Sequence, residues 1–227
     1  NKGLSENYIL TAAENLVTHG IPNLKLYFMI GLPTETMDDI DAITQLCKKV
    51  KQVFLKSSRT KGRMGAITVS VNCFVPKPHT PFQWAAMDDI QTLKLKLKHL
   101  RMGIKRIPNV RMQADVPRWA YVQALLSRGD MRVADLLEAA HDNDGNWPKT
   151  LKAATISADF YVYRPREDHE NFPWDFIDHG IQKSYLLAEY RKAVRGDTTP
   201  PCDVEACRRC GVCGSEHGEH RTSNIQF

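Results

Sequence analysis

The chain has 227 residues, 42% of them hydrophobic and 25% charged, with a formal net charge of +5. That length and mix suffice for a substantial core and exclude collagen-like, fibrous and wholly disordered classes, and no run approaches the roughly 18 consecutive apolar residues of a membrane helix. The mild positive charge permits an anionic partner without demanding one. No signal-peptide pattern opens the sequence given, which starts at Asn1, so a cytosolic location without membrane contact is expected. Residues 4–19 read as the first helix, with Tyr8, Leu10, Ala12, Ala13, Leu16 and Val17 on an apolar side and Gly20 as its C-cap.

The next stretch, Leu24-Lys25-Leu26-Tyr27-Phe28-Met29-Ile30, has six apolar residues in seven. It predicts a strand buried on both faces, as in a parallel sheet. The run stops at Gly31-Leu32-Pro33, where glycine frees the backbone and proline removes a donor. Thr36 then predicts an N-cap with Asp38 and Asp39 in the first turn, and Met37, Ile40, Ile43, Leu46, Cys47, Val50 and Phe54 recur at helical spacing to about Leu55. Strand, tight turn and helix in this order place the turn where α/β folds bind ligands, at the carboxyl ends of strands.

Residues 57–65 are polar and basic and read as a surface loop. Residues 66–75 alternate: Ile67, Val69, Val71, Cys73 and Val75 form one face, while Thr68, Ser70, Asn72 and Phe74 form the other. A period of two predicts a strand whose second face is either solvated or turned into a polar barrel interior. Val75-Pro76-Lys77-Pro78-His79-Thr80-Pro81 carries three prolines in six residues and predicts a stiff extended loop; His79 on it is either a catalytic group or merely fixed there. Residues 88–106 form an amphipathic helix with Ile90, Leu93, Leu97, Leu100 and Ile104 inward. Lys94, Lys96, Lys98, Arg101, Lys105 and Arg106 make its remaining surface basic, either a solvated outer face or a contact for phosphates.

A short strand is expected at Val110–Ala114, then helices from Pro117 to Arg128 and from about Asp130 to His141. Asp142-Asn143-Asp144-Gly145-Asn146 lacks the twelve-residue ligand spacing of a calcium loop and reads as a turn. Helices follow from Pro148 to Ala158 and from Lys183 to Arg195. Asp175, Asp178 and His179 serve as either metal ligands or caps ahead of the latter.

Past Thr198-Thr199-Pro200-Pro201 come Cys202, Cys207, Cys210 and Cys213, spaced C-x4-C-x2-C-x2-C. Four thiols within a dozen residues suit one tetrahedral centre, either zinc or an iron–sulfur cluster, with disulfides or free thiols as the alternative. His217 and His220 are spare ligands.

Leu26 to Thr36, with its Gly31-Leu32-Pro33 turn, resembles the turn after the fifth strand of radical S-adenosylmethionine (SAM) enzymes. It is most similar to the B12-binding-type radical SAM proteins. Val75 to Trp84, Leu125 to Asp130 and Phe172 to Asp178 resemble the same group. The resemblance implies an α/β fold: the C-terminal part of a partial (β/α) barrel over residues 1–110, a helical extension over 111–198 and a Cys-rich metal-binding tail over 199–227. It implies a SAM pocket shaped by Gly31, Leu32 and Pro33 on one side and by Asn72, Val75 and Pro76 on the other. The activity implied is cleavage of SAM to a 5′-deoxyadenosyl radical by a [4Fe–4S] cluster, acting on an unknown substrate; RNA modification is one possibility. The initiating C-x3-C-x2-C motif is absent from this sequence, so that cluster, any cobalamin, and the first strands are expected in a missing N-terminal part, which becomes a partner together with a small separate domain. The competing expectation is a non-catalytic RNA-binding module with a structural zinc at Cys202, Cys207, Cys210 and Cys213.

Overall fold

The structure, a computed structural model, describes residues 3–59 and 65–213. His217 and His220 lie outside them, as does most of the loop expected between Ser57 and Gly65. The chain divides into two compact units. One holds the residues up to Val75 together with Met87–Tyr121; the other holds Pro76–Ala86 with the residues from Val122 onward.

The first unit is α/β. Its elements are α1 (Glu6–Thr18), β1 (Leu24–Ile30), α2 (Met37–Arg59), β2 (Ile67–Cys73), α3 (Ile90–Lys105) and β3 (Val110–Ala114). The strands form an open, wholly parallel sheet in the order β1-β2-β3. Register aligns Lys25 with Thr68 and Arg111, Tyr27 with Ser70 and Gln113, and Met29 with Asn72. The alternate residues, including Ile30, Ile67, Val69, Val71 and Val110, are buried, as are Ile40, Cys47, Val50 and Phe54 of α2 and Leu93, Leu100 and Ile104 of α3. Gly103 lets α3 approach α2 closely: a Cβ there would stand 2.7 Å from the Thr44 hydroxyl.

Burial of β1 on both faces does not hold. Lys25, Tyr27 and Met29 are exposed, Tyr27 at 68% and Met29 at 46%. β1 is an edge strand whose single ladder is to β2, and the face its odd-numbered residues share with Thr68, Ser70, Asn72, Arg111 and Gln113 has no covering layer among the described residues. The apolar side of α1 is likewise incomplete: Ala13 and Val17 are buried, while Leu4, Tyr8 and Leu16 are exposed. Leu4, Tyr8 and Leu16, with Ile21, Leu24 and Leu26, line an apolar groove of about 330 Å³ along β1.

The second unit is helical, with α4 (Pro117–Arg128, its first turn still in the sheet unit), α5 (Val133–Asp142), α6 (Trp147–Ala153), α7 (Ala158–Val162) and α8 (Lys183–Arg195). Its core is aromatic: Trp84, Phe172, Trp174 and Leu186 are buried together, and Trp84 stacks on Tyr190 of α8 with ring centroids 6.1 Å apart. A 3-10 turn, Pro81–Trp84, carries the first of these rings; Pro81 sets its opening φ. The Asp142–Asn146 segment is the expected turn, with Asp144 and Gly145 at positive φ. Gly196, at φ 77°, ends α8 in the left-handed conformation glycine tolerates best.

Arg128 organises this unit. Its side chain is fully buried and donates from Nε to the Tyr161 carbonyl at 2.6 Å, from Nη2 to the Arg164 carbonyl at 2.6 Å and from Nη1 to the Ala85 carbonyl. Burial, with Arg166 and Arg164 nearby, pulls its pKa down to about 10. Glu170 accepts two 2.7 Å hydrogen bonds from Arg164 and one of 2.8 Å from Arg166, so its negative charge offsets part of the positive charge around the buried guanidinium.

Candidate functional site

The carboxyl ends of β1 and β2 lie side by side. Ile30 is paired with Cys73, and the Phe74 N–H donates to the Ile30 carbonyl at 2.8 Å, one residue beyond the strand. At this end β1 turns through Gly31, whose φ of 80° and packing exclude a side chain: a Cβ would meet Leu93 Cδ2 at 2.7 Å. The turn is closed internally. Gly31 N–H donates to Glu35 Oε1 at 2.7 Å, and Glu35 N–H to the Leu32 carbonyl at 3.0 Å. Thr34, at φ 70°, completes the reversal.

The turn is also anchored from α3. Lys96 Nζ lies 2.9 Å from Glu35 Oε1 and 2.6 Å from Asp88 Oδ2, and the Lys96 and Glu35 side chains are 8% and 6% exposed. Burial draws the Lys96 pKa down, but hydrogen bonds to Asp88 and Glu35 outweigh it and leave the pKa raised. Lys96 is therefore not part of the basic helix face expected from sequence. The exposed cations there are Lys94, Lys98, Arg101, Lys105 and Arg106.

Across the sheet end, Asn72 is exposed and donates from Nδ2 to Asp115 Oδ2 at 3.0 Å; the same oxygen accepts the Cys73 N–H at 3.3 Å. The Asp115 N–H returns to the Val71 carbonyl at 3.0 Å. Asp115 thus fixes the Asn72 carboxamide and leaves its oxygen to other donors. Asp115 lies one residue beyond β3, a place that strand periodicity alone does not mark. Gly31, with half-buried Leu32 and Pro33, and Asn72 therefore belong to one end of one sheet. Val75 closes that unit, and Pro76, buried, opens the other.

Asp175, Asp178 and His179 act as caps in their own segment. They accept the N–H groups of Phe172, Gly180 and Ile181, respectively. Among the described residues no group of three or more His, Cys, Asp and Glu side chains is placed to hold a metal ion. The cysteine tail is nevertheless set against α8: the Gln182 N–H, at the helix start, donates to the Cys210 carbonyl at 2.9 Å. Cys202, Cys207, Cys210 and Cys213 are free thiols. Arg209 Nε donates to Cys207 Sγ at 3.2 Å and lowers that thiol's pKa. Desolvation, then the nearby Cys207, Cys213 and Cys210, push the Cys202 thiol up. Four soft donors in one short segment, with a guanidinium on Cys207, are of the chemical type that a thiophilic metal takes.

These features define an α/β protein with a three-stranded parallel sheet, one bare sheet face and a structured turn at the strand ends. Among known proteins, the chain is 32% identical over 186 residues to the uncharacterised protein MJ0966 of Methanocaldococcus jannaschii; the match covers 82% of this chain and 36% of that relative. The chain thus spans little more than a third of the length of the curated relative it matches. No family model matches the chain, and no solved structure matches it. No helix among the described residues is long and apolar enough to cross a membrane.

Proposed function

We propose that this chain is the later part of a radical SAM enzyme, closing one side of a partial (β/α) barrel. The observation that carries the reading is the bare face of a wholly parallel sheet. Parallel sheets occur almost only with both faces covered, so a face bearing Tyr27, Met29, Ser70, Asn72 and Gln113 calls for an opposing wall or a ligand. The open edge of β1 and the apolar groove beside it support docking of preceding strands of the longer chain.

In this reading SAM lies at the carboxyl ends of β1 and β2, against Leu32, Pro33 and the Asn72 carboxamide, with Val75 and Pro76 following β2. Gly31 contributes shape rather than a donor, since its N–H is taken by Glu35. Reductive cleavage of SAM to the 5′-deoxyadenosyl radical would be the chemistry supplied by a [4Fe–4S] cluster, for which this sequence carries no C-x3-C-x2-C motif. Cys202, Cys207, Cys210 and Cys213 hold a second centre, an auxiliary cluster or zinc. Any cobalamin site belongs to the missing part, and RNA is one substrate to test.

The test is anaerobic reconstitution of the full-length protein with iron and sulfide, followed by incubation with SAM and dithionite. The expected product is 5′-deoxyadenosine, with formation reduced about tenfold or more in Asn72→Ala, the loss of roughly one good hydrogen bond at a ligand. Reconstituted protein that neither binds nor cleaves SAM overturns the proposal. A second reading, an RNA-binding module with a zinc tail, is favoured by the four exposed cations of α3 with Arg106 at its C-cap, and by Lys25 and Arg111 on the sheet. Salt-sensitive RNA binding with zinc and no SAM binding selects it.

A further inference from the structure

The helical unit contains a cavity lined by its own residues. It has a volume of about 370 Å³, and its lining includes His79, Gln83, His179, Asp175, Asp178 and Lys183. That volume suits a small molecule or one functional group of a larger one.

His79 is held there against its backbone preference. Its φ is 56°, a left-handed value that non-glycine residues adopt at a cost and that clusters at functional sites. The conformation is fixed by Gln83, whose Oε1 accepts both the His79 N–H at 3.0 Å and the Trp174 Nε1–H at 2.8 Å. Gln83 is 2% exposed. With its oxygen used, the amide nitrogen is what it can offer a ligand.

The His79 ring meets the His179 ring edge to face, with centroids 4.1 Å apart. His79 Nε2 is buried and has no hydrogen-bond partner among the described residues. Such an atom costs about 1–3 kcal/mol unless something fills its place. His179 Nδ1 accepts the Ile181 N–H at 3.2 Å, so the ring proton of neutral His179 rests on Nε2. That tautomer cannot offer Nε2 to a metal. The groups that remain, His179 Nε2–H, the Gln83 amide and His79 Nε2 once protonated, all donate.

We propose that this cavity is an oxyanion site, taking the carboxylate or phosphate group of an acidic ligand on His79, His179 and Gln83. The carboxylates in the lining are already engaged: Asp175 accepts from Lys183 Nζ at 2.5 Å and from the Phe172 N–H, and Asp178 accepts from the Gly180 N–H. Binding is proton-linked. Burial first, and then His179, lower the His79 pKa, while Asp175 opposes them. An anion against the ring favours the protonated form, so affinity rises as pH falls. The charged groups facing the imidazole pair are Asp175, Asp178 and Lys183. The inference stands apart from the SAM reading and fails separately from it.

The test is imidazole NMR on histidine-labelled protein, titrated with sulfate and with acetate at pH 6 and pH 8, where neither probe changes charge. Saturable shifts of the His79 and His179 signals are expected, tighter at pH 6 than at pH 8 by up to about a hundredfold for one linked proton across two pH units. Sulfate alone saturating marks a phosphate site, and acetate alone a carboxylate site. His79→Asn tolerates the left-handed backbone and should keep the fold while abolishing the shift at His179. His179→Gln provides the converse check. Three outcomes overturn the proposal: no saturable shift with either anion, equal affinity at both pH values, or unchanged binding in folded His79→Asn.

Discussion

Two cations, Lys96 and Arg128, are buried for a reason that helical periodicity does not carry. On a helical projection Lys96 joins the basic stripe of α3, and Arg128 is a polar residue at a helix end. Their partners, Glu35 for one and the carbonyls of Ala85, Tyr161 and Arg164 for the other, are dozens of residues away, where periodicity carries no signal. Arg128 provides the sharper test. Methionine preserves much of its volume but leaves three carbonyls without their donor, and each buried unmet group costs on the order of 1–3 kcal/mol. Arg128→Met should therefore destabilise the protein by about 3 kcal/mol or more, seen as a lower denaturant midpoint. Arg128→Lys should recover little, because an ammonium cannot reach carbonyls spread around a planar fork.

At the scale of elements, local chemistry was legible and neighbourhood was not. β2 and β3 fall where alternation and the Val110 run place them, α2 begins at its predicted acidic first turn, and α3 begins within two residues of its predicted start. For β1 the apolar run was real but its meaning was misread, since Leu-Tyr-Phe-Met cannot report whether a second layer is present. The Gly31 turn likewise announced a reversal without showing what stabilises it. Its lock is Glu35 bridging the Gly31 N–H and Lys96. Removing the cation should release it: Lys96→Met leaves two carboxylates of opposite elements uncompensated and should cost roughly 3 kcal/mol. Hydrogen exchange at the Gly31 amide should accelerate with it. Glu35→Gln, which keeps an acceptor for that amide, should accelerate exchange less. Equal protection in wild type and Lys96→Met would show that the backbone, not the ion triad, shapes the turn.

For the whole molecule, the six cysteines separate what belongs to packing from what belongs to chemistry. Cys47 and Cys73 are buried in the sheet unit, and burial pushes their thiols up to about 12 and about 11, so they are poor nucleophiles at neutral pH. Cys202, Cys207, Cys210 and Cys213 are exposed or half-buried and lie within one short segment, where burial and then Cys207 push the Cys202 thiol up. The sequence separates the two groups by spacing; the structure separates them by burial and by Arg209 beside Cys207. A thiol reagent counted by intact mass should modify four cysteines in the native, metal-free, reduced protein, and the remaining two after unfolding. Metal bound by the tail should block that native labelling, and chelation should restore it, because a coordinated thiolate has surrendered its lone pair. Iron with acid-labile sulfide released on chelation identifies a cluster, and zinc alone a structural centre. If four cysteines remain reactive after reconstitution with both metals, the tail is not a metal site.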